Sequence, residues 1–532
     1  MFKVKDRYIF LFFWIIIFVI YYPAKDAKFI NDSFYYFAKI QQEGFAGIWD
    51  SYNIIFNFQL PCFLYYVFYK IFGLHYLGWH ILFSLLHVAN AYLWYHFILK
   101  SFNGIKKYQI IIASYLFLIA PFQTEVVAWG ATLHYLLIVF FLISCLLLLK
   151  KYSDAEKTKY LILFHLSFFC SLFCFEQAFL FPILFSIYYF VTLENKDHKG
   201  FALKILLPNI LMIAFYISLT KMIYGVYIAH YGKDVHTNLD IYKIYNTFVL
   251  YLYKYILLFR YLPEQIKILL EQEWCKIFFL IIIVIILFLS LRNKTYRKLL
   301  SFLILSYGLM IVPVLNLDTS FKFEIQSDRY GYLPSIFAYS LLIFMVFSVI
   351  KEKFAIVLFV IMITINMFFL IPTIDKWNKA GKYAIELLKN YPLSKNQKAY
   401  ILNLPDNYQG AYMFRNSLDY GLHLYKDEGY NFEKIRKLAQ INIFSNKNET
   451  ETIKMADRTY QVTNIGVGKW YYRNGAGATN VDNDNYSMVF DEWLNRYKLT
   501  IKEKTKDTIF VLQCAGTQWK IIDTIPNNIS EE

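Results

Sequence analysis

Charged residues are scarce in this chain. Asp, Glu, Lys and Arg together make up 17% of its 532 residues, whereas hydrophobic residues make up 58% and aromatic residues 20%. A soluble globular protein is roughly 25% charged and roughly 45–50% apolar. The composition therefore excludes an ordinary soluble domain over most of the chain and predicts a polytopic membrane protein. In such a protein each ionisable side chain at membrane depth is costly and points towards function.

Cysteine is also rare, and its six positions show no spacing typical of a metal site. Cys170 and Cys174 are four residues apart in an apolar run, which predicts two side chains packed on one helix face. Cys514 is the only cysteine in the polar C-terminal part, so no disulfide is required there. His80 and His87 lie about 10 Å apart along one predicted helix. That spacing favours packing or a polar seam over metal binding.

Basic residues give the chain a net charge of +15, but they lie mainly in short clusters between apolar runs. The clusters are at 3–7, 106–107, 150–151, 196–199, 292–298 and 351–353. This distribution is typical of the cytoplasmic loops of a membrane protein. A nucleic-acid partner is not predicted, because it would require basic residues concentrated on a soluble face.

Eleven apolar runs approach the length of about 20 residues that crosses a bilayer. They are at 8–22, 76–99, 108–122, 133–149, 160–175, 179–193, 202–219, 276–291, 299–314, 334–350 and 354–372. No small-residue cleavage site follows the first run, which is interpreted as a retained helix rather than a signal peptide. An odd number of crossings predicts a cytoplasmic N-terminus and an extracytoplasmic C-terminus.

Two further apolar segments, 54–72 and 245–261, contain polar or basic residues such as Gln59 and Lys254. We interpret both as helices lying in the outer membrane interface. The number of spans changes by one or two if they cross instead.

From Thr373 to Glu532 the sequence becomes polar and charged over a length sufficient for a domain. Its first part, 376–390, has a helical pattern, and 497–503, 508–514 and 519–523 resemble strands. The predicted fold class is therefore an all-α polytopic membrane domain of about eleven transmembrane helices at 1–372. A C-terminal extracytoplasmic α+β domain follows at 373–532.

Asp32 lies in the first predicted outer loop, a short distance past the first span and among aromatic residues. A carboxylate in this place can act as a general base that deprotonates a hydroxyl attacking a lipid-linked donor. The same residue can instead cap the helix that begins at Ser33. Asp26 and Asp50 are the competing carboxylates in this loop.

Glu125 lies in the apolar run PFQTEVVAW at 121–129, at the junction of two predicted helices. It can hold a sugar hydroxyl, help Asp32 bind a divalent cation, or simply occupy a helix N-terminus where the dipole favours a carboxylate. His134 follows shortly after, and a hydrogen bond to a packed neighbour is the commoner fate of a lone buried histidine. Glu176 lies between two spans with hardly any loop, which predicts either a polar cavity or a solvated turn.

Arg329 lies where the loop ending in DRYGYLP, 328–334, re-enters the bilayer. A guanidinium is a planar fork of donors that suits phosphate and keeps its charge in apolar surroundings. It can hold the phosphate of a polyprenyl-phosphate leaving group, or it can be an interfacial arginine bound to lipid headgroups. Arg260 and Lys221 are weaker candidates for the same task.

These segments together resemble the GT-C superfamily of membrane glycosyltransferases, in particular the protein O-mannosyltransferase-like and tetratricopeptide-associated branch. The resemblance depends on four places along about 370 residues: Asn31-Asp32 with the aromatics that follow, the stretch 73–87, the run at 121–129 and the run at 328–334. The last two are the most specific.

The resemblance implies an inverting transfer of a hexose from a polyprenyl-phosphate donor, with Asp32 as the catalytic base. It also implies active-site roles for Glu125 and Arg329. We predict that Arg329 and Arg260 bind the donor phosphate and that Glu125, Glu176, His134 and Tyr330 position sugar or acceptor. The first-loop acidic pair common in relatives is here Asn31-Asp32, and Gln59 replaces an arginine that often precedes Leu-Pro. Both departures leave the donor sugar and a possible divalent cation open, and no metal ligand is assigned.

The predicted function is therefore that of an integral membrane glycosyltransferase of the inner (plasma) membrane with a periplasmic C-terminal domain; an endoplasmic-reticulum location is the alternative. Its expected partners are a polyprenyl-phosphate-linked sugar, a protein or glycan acceptor and membrane lipids. The competing hypotheses are a lipid-glycan transporter or flippase, a polysaccharide polymerase or ligase, and a scaffold that displays the tail. Charges deep within spans and two repeated halves would favour the transporter.

Overall fold

The computed structural model describes most of the chain. The described residues are 6–49, 58–192, 197–225, 227, 240–315, 325–415, 417–426, 432–443, 450–465, 469–470, 472–473, 476–477, 479–491 and 495–526. Some predicted positions lie outside these ranges: Asp50, 54–57, Leu193 and the first part of the loop before Arg329.

The chain forms two compact units. The membrane unit comprises Met1–Tyr22, Phe45–Val127 and Thr132–Thr373, and the tail unit comprises Pro23–Gly44, Ala128–Ala131 and Ile374–Glu532. Two short segments from the N-terminal half of the chain therefore belong to the same unit as the C-terminal residues. A division of the chain at 372 does not separate these segments from the membrane helices.

The described residues are mostly helical. The α-helices are α1 (Asp6–Tyr21), α2 (Asp32–Trp49), α3 (Gln59–Phe72), α4 (Tyr76–Ser101), α5 (Lys107–Ile119), α6 (Thr124–Ala128), α7 (Leu133–Ala155), α8 (Thr158–Leu172), α9 (Phe181–Thr192), α10 (His198–Phe201), α11 (Leu207–Tyr224), α12 (Ile241–Leu257), α13 (Glu264–Leu270), α14 (Glu273–Arg292), α15 (Lys294–Leu315), α16 (Tyr332–Val349), α17 (Glu352–Lys389) and α18 (Leu418–Tyr425).

The polytopic helical architecture agrees with the sequence prediction. Among the described residues, eight helices are long and apolar enough to cross a membrane, and a bent pair makes nine if it counts as one span. The eight overlap the predicted spans that begin at 8, 76, 133, 202, 276, 299, 334 and 354. The predicted spans 160–175 and 179–193 correspond to the shorter apolar helices Thr158–Leu172 and Glu176–Thr192. Eleven crossings therefore stays a prediction.

The bent pair lies at the predicted span 108–122 and has a local cause. Helix α5 and the segment Pro121–Ala128 meet at an angle of 54°. Ala120 adopts an extended backbone, with ψ at 129°. The residue before a proline is pushed away from helical conformation, and Pro121 itself has no N–H to continue the helix. This break interrupts the apolar helix just before Glu125.

His80 and His87 of α4 form a polar seam, as the sequence predicts. The His80 Nε2 atom lies 2.9 Å from the Phe18 carbonyl oxygen. The Nδ1 atom of His87 lies 2.8 Å from the Tyr332 hydroxyl, and its Nε2 atom lies 3.2 Å from the Leu118 carbonyl oxygen. Buried polar side chains require such partners, so these two histidines connect neighbouring helices.

The tail unit contains an α+β arrangement, which agrees with the prediction. Its strands are β1 (Lys398–Ile401), β2 (Leu404–Tyr408), β3 (Ala411–Tyr412), β4 (Ile435–Lys437), β5 (Gln440–Ile443), β6 (Thr450–Ala456), β7 (Thr459–Asn464), β8 (Lys469–Trp470), β9 (Tyr472–Arg473), β10 (Ala476–Gly477), β11 (Val481–Asp482), β12 (Tyr486–Asp491), β13 (Arg496–Ile501), β14 (Ile509–Ala515) and β15 (Gln518–Ile525).

These strands form three main sheets, ordered β15-β14-β1-β4, β3-β2-β5-β8 and β11-β12-β13-β7-β6, with a small β10-β9 pair. Strand β1 is parallel to both β14 and β4, whereas the five-stranded sheet is antiparallel. The three strands predicted near 497, 508 and 519 are confirmed as β13, β14 and β15.

The prediction that the apolar run 354–372 and the helix 376–390 are separate elements is wrong. A single helix of 38 residues, α17, covers both and contains Pro372 in its interior. The change from apolar to charged residues marks where the surroundings of the helix change. It does not mark a helix end, because lysine, glutamate and alanine after Thr373 are all good helix formers.

Candidate functional site

The two most specific sequence segments meet in the membrane unit through Glu125 and Arg329. Glu125 is the second residue of the short helix α6, which follows the break at Pro121. Arg329 lies in a 3₁₀ turn, Ile325–Gly331, directly before α16. Both short elements therefore place a charged side chain at an interruption between apolar helices.

Glu125 accepts two hydrogen bonds from Arg329. Its Oε2 atom accepts from the Arg329 backbone N–H at 2.7 Å, and its Oε1 atom accepts from the guanidinium Nη1. The Glu125 side chain is 0% exposed, while that of Arg329 is 16% exposed. The sequence assigned these residues to sugar positioning and phosphate binding separately. The structure makes them one buried ion pair, in which Arg329 keeps a partly accessible edge.

Asp328, the residue before Arg329, forms a second group of buried charges. Arg260 forms a bidentate interaction with it: Nη1 donates to Oδ2 at 2.8 Å, and Nη2 donates to Oδ1 at 2.5 Å. The Lys254 amine lies 2.7 Å from Asp328 Oδ1. Sequence reasoning gave Asp328 no role and noted Lys254 only as an obstacle to a crossing. The sequence did contain a signal for this group: Lys254 and Arg260 lie six residues apart in one apolar run.

We call Glu125, Lys254, Arg260, Asp328 and Arg329 the charge cluster. With Lys254 protonated, its three cations face two carboxylates, which leaves one positive charge. Burial lowers the pKa of the Lys254 amine, and the attraction of Asp328 opposes that shift. Guanidinium and ammonium groups are donors that suit an anion, so the composition of the charge cluster is compatible with an anionic ligand.

Phe122, from the run at 121–129, packs against Lys254 and Arg260, the two cations that contact Asp328. The Lys254 amine lies 5.1 Å from the centre of its ring, and the Arg260 guanidinium lies 5.0 Å from it. Such cation–π contacts contribute about 0.5–2 kcal/mol, more where water is excluded. The run at 121–129 therefore contacts both groups of charges, through Phe122 and through Glu125.

An aromatic group lies beside Arg329. The Arg329 guanidinium stacks over the Tyr330 ring at 4.5 Å and donates to the Tyr330 hydroxyl at 2.9 Å. The ring of Tyr135 lies 6.5 Å from that of Tyr330 and 4.2 Å from that of His134. Phe175 packs on both Tyr135 and His134. Tyr330 and His134, predicted as positioning residues, thus belong to one contiguous aromatic surface.

Glu176 follows Phe175 directly and is the first residue of a 3₁₀ turn, Glu176–Leu180. Its side chain is half-buried, and the choice between a polar cavity and a solvated turn stays a prediction. Lys221, the weaker phosphate candidate, lies at the exposed end of α11 and donates to the Gly225 carbonyl at 2.6 Å. It is not part of the charge cluster.

Buried hydrogen bonds fix the helices that carry the charge cluster. The Gln123 side chain donates to the Ser335 hydroxyl at 2.8 Å, and Asn90 donates to the Tyr332 hydroxyl at 3.2 Å. The first bond connects the run at 121–129 to helix α16, and the second connects helix α4 to the run at 328–334. Buried hydrogen bonds of this kind restrict the positions of the side chains that form them.

Asp32 belongs to the tail unit, as the first residue of α2. It is half-buried and lies in the first helical turn, where the helix dipole favours a carboxylate. This position agrees with the helix-terminus interpretation and is also compatible with a base. The other predicted site residues belong to the membrane unit, so the convergence of Asp32 and Arg329 on one cleft stays a prediction.

No group of three or more His, Cys, Asp or Glu residues within the described ranges is arranged to hold a metal ion. The donor set of the charge cluster, rich in cations, also does not suit one. Comparison with known proteins finds no family model, no curated protein and no solved structure that matches this chain. The resemblance to GT-C glycosyltransferases therefore stays a prediction from the sequence segments themselves.

Proposed function

We propose that the protein is an integral membrane glycosyltransferase that uses a polyprenyl-phosphate sugar and transfers the sugar to an acceptor hydroxyl on the extracytoplasmic side. The charge cluster is the observation that carries this proposal. It combines two guanidiniums and one amine with two carboxylates, next to an aromatic surface. Guanidinium and ammonium groups are the donors that suit the phosphate of a lipid-linked sugar.

The charge cluster suits a leaving phosphate for a physical reason. As the bond between the sugar and the phosphate breaks, negative charge grows on the phosphate oxygen. Fixed cations in surroundings that exclude water stabilise this charge more strongly than water does, because they need no reorganisation. Arg329 is the most accessible of the three cations, and its planar fork is already oriented by Glu125.

The proposed reaction is a single displacement. Asp32 accepts the proton of the acceptor hydroxyl, and the acceptor oxygen forms a bond to the anomeric carbon of the sugar. The bond from that carbon to the phosphate oxygen breaks, and the electron pair leaves with the polyprenyl phosphate. Attack from the opposite face inverts the anomeric configuration.

The test uses purified full-length protein in nanodiscs with polyprenyl-phosphate hexoses and a set of hydroxyl acceptors. Release of polyprenyl phosphate with formation of a glycosylated acceptor supports transfer. Asp32→Asn should lower the rate by at least about a hundredfold, since a general base contributes about 10²–10⁴. Asp26→Asn, a carboxylate change in the same segment, is the matched control and should retain activity.

The competing function is transport, and the same charge cluster favours it, because buried cations can also bind a phosphate headgroup without bond chemistry. Movement of intact lipid-linked sugar across the nanodisc or vesicle bilayer, without sugar release, would contradict the transferase proposal. Loss of activity in Asp26→Asn with a fully active Asp32→Asn would contradict the choice of base.

A further inference from the structure

The backbone just before Asp32 is held by a glycine of helix α17. A Cβ atom added at Gly381 would lie 2.7 Å from the Ala27 nitrogen and 2.8 Å from the Asp26 carbonyl carbon. Real Cβ atoms essentially never approach backbone so closely. Helix α17 can therefore contact residues 26–27 only because position 381 has no side chain.

The segment Ala128–Ala131 holds the next part of the same backbone. A Cβ atom at Gly130 would lie 2.1 Å from the Lys28 carbonyl oxygen. The Trp129 indole donates to the Ile30 carbonyl at 3.1 Å. Trp129 in turn packs against Tyr412, with ring centres 4.8 Å apart. The C-terminal part of the tail unit thus reaches Ile30 through one tryptophan.

Contacts on both sides of Asp32 complete this arrangement. The Asn31 N–H donates to the Met413 carbonyl at 3.0 Å, and Asn31 adopts a left-handed backbone with φ at 50°. Phe34, one turn into α2, stacks on Phe414 with ring centres 6.2 Å apart. Asp32 lies between two residues that are bound to consecutive residues of the tail.

From these contacts we infer that residues 374–532, together with the segment 128–131, set the position of the Asp32 carboxylate, with Gly381, Trp129 and Phe414 as positioning residues. The inference rests on the proposed function, in which Asp32 is the base. It differs from the expectation that the tail only presents or recognises the acceptor. Most of these contacts are with the backbone around Asp32 or with its first helical turn. They therefore restrict the position of one side chain, which loose tethering of a separate domain would not do.

The sharpest test is Gly381→Ala in the full-length protein. Alanine favours a helix more than glycine does, so α17 itself is not weakened. The new Cβ must displace Asp26 and Ala27, and with them the start of α2. We expect kcat to fall about tenfold or more, since small displacements of a reacting group have effects of this size. Amide hydrogen exchange of residues 27–40 should accelerate, while that of β13 and β14 stays unchanged.

Gly308→Ala is the matched control, because nothing lies within 4 Å of a Cβ atom at Gly308 in helix α15. It should retain wild-type kcat and exchange. The pH profile of kcat separates positioning from a smaller folded fraction. A moved base shifts the midpoint of the acidic limb in Gly381→Ala, whereas partial unfolding only scales the profile.

Trp129→Phe covers the case in which Gly381→Ala does not fold. It keeps an aromatic ring against Tyr412 but removes the hydrogen bond to Ile30. We expect the midpoint of the acidic limb of the kcat profile to shift in the same direction, by a smaller amount. Unchanged exchange of residues 27–40, or faster exchange with an unchanged kcat and pH profile, would overturn the inference. If Asp32→Asn stays active while Gly381→Ala still accelerates exchange, the proposed base is wrong and the contact of the tail with this segment stands.

Discussion

The membrane unit and the tail unit each bury a carboxylate against arginine, but they do so with different charge balance. In the tail unit, Arg415 donates Nε to Asp406 Oδ1 at 2.8 Å and Nη2 to Oδ2 at 2.7 Å, and Asn407 adds a third bond to Asp406 at 2.7 Å. This is one cation for one carboxylate. In the membrane unit, Asp328 has two cations, and the charge cluster as a whole keeps one positive charge in excess.

A balanced and fully hydrogen-bonded pair such as Asp406 and Arg415 needs nothing more, and its function is structural. Both side chains are nearly inaccessible, at 0% and 7% exposure. The five residues of the charge cluster instead place three cations beside two carboxylates, a composition that suits an anionic ligand. We therefore base the proposed binding site on charge composition and not on burial alone, since both groups are buried.

The largest expected effect is on the balanced pair. Arg415→Met leaves the Asp406 carboxylate buried with too little compensation and should lower the free energy of unfolding of the tail unit by about 3–5 kcal/mol. Denaturant unfolding of the full-length protein, followed by hydrogen exchange of the tail strands, measures this loss. The double replacement Asp406→Leu with Arg415→Met should recover most of it. A loss below about 1 kcal/mol in the single variant would contradict the structural role.

Replacement of Lys254 should affect lipid binding more than it affects stability. Lys254→Met leaves Asp328 paired with Arg260 and makes the five residues of the charge cluster neutral, so it should destabilise the protein less than Arg415→Met does. Binding of polyprenyl phosphate should weaken about tenfold, which equals about 1.4 kcal/mol. Titration in nanodiscs measures the dissociation constant.

Lys243→Met on the same helix is the matched control and should keep the wild-type affinity. Strong destabilisation by Lys254→Met with unchanged lipid binding would mean that this cation is structural too. The distinction between the two units would then fail.

The smallest effect concerns pH. Burial opposes ionisation of Glu503 in the tail unit, but hydrogen bonds from Lys398 and Tyr400 outweigh it and hold the pKa of Glu503 below its usual range. Ionised Glu503 therefore adds stability that is complete above its unfolded pKa of about 4.3 and is lost as pH falls through its lower folded pKa.

We expect the unfolding midpoint of the tail unit to decrease by about 1–2 °C for this reason as pH falls from 5 to 3. Glu503→Gln should reduce that dependence, and thermal scans at stepped pH values provide the measurement. An unchanged slope in Glu503→Gln would exclude this group as a source of acid sensitivity.

Sequence patterns predicted what depends on local periodicity. The apolar runs correspond to helices because a bilayer-length stretch has few other ways to satisfy its backbone, and strands β13 to β15 follow from alternation of apolar and polar residues. The continuity of α17 was missed because Pro372 and the change in polarity coincide there. A proline is tolerated inside such a helix when neighbouring groups satisfy the freed carbonyl.

The candidate site was only partly predictable. Glu125 and Arg329 could be selected singly, because each is a charge next to apolar helices, but their pairing joins residues 204 positions apart. Asp328 stood in the selected segment and received no role, since nothing local shows that Lys254 and Arg260 converge on it. The attachment of the Asp32 segment to the C-terminal residues likewise depends on tertiary contacts of Gly381 and Trp129, which have no periodic signature.

The most direct test of the central claim is a density map of the full-length protein in nanodiscs loaded with polyprenyl phosphate. We expect a phosphate within hydrogen-bonding distance of Arg329 and of at least one of Lys254 and Arg260. We also expect the polyprenyl chain to lie along the apolar helices. A phosphate bound elsewhere, with the charge cluster still closed on its own carboxylates, would contradict it.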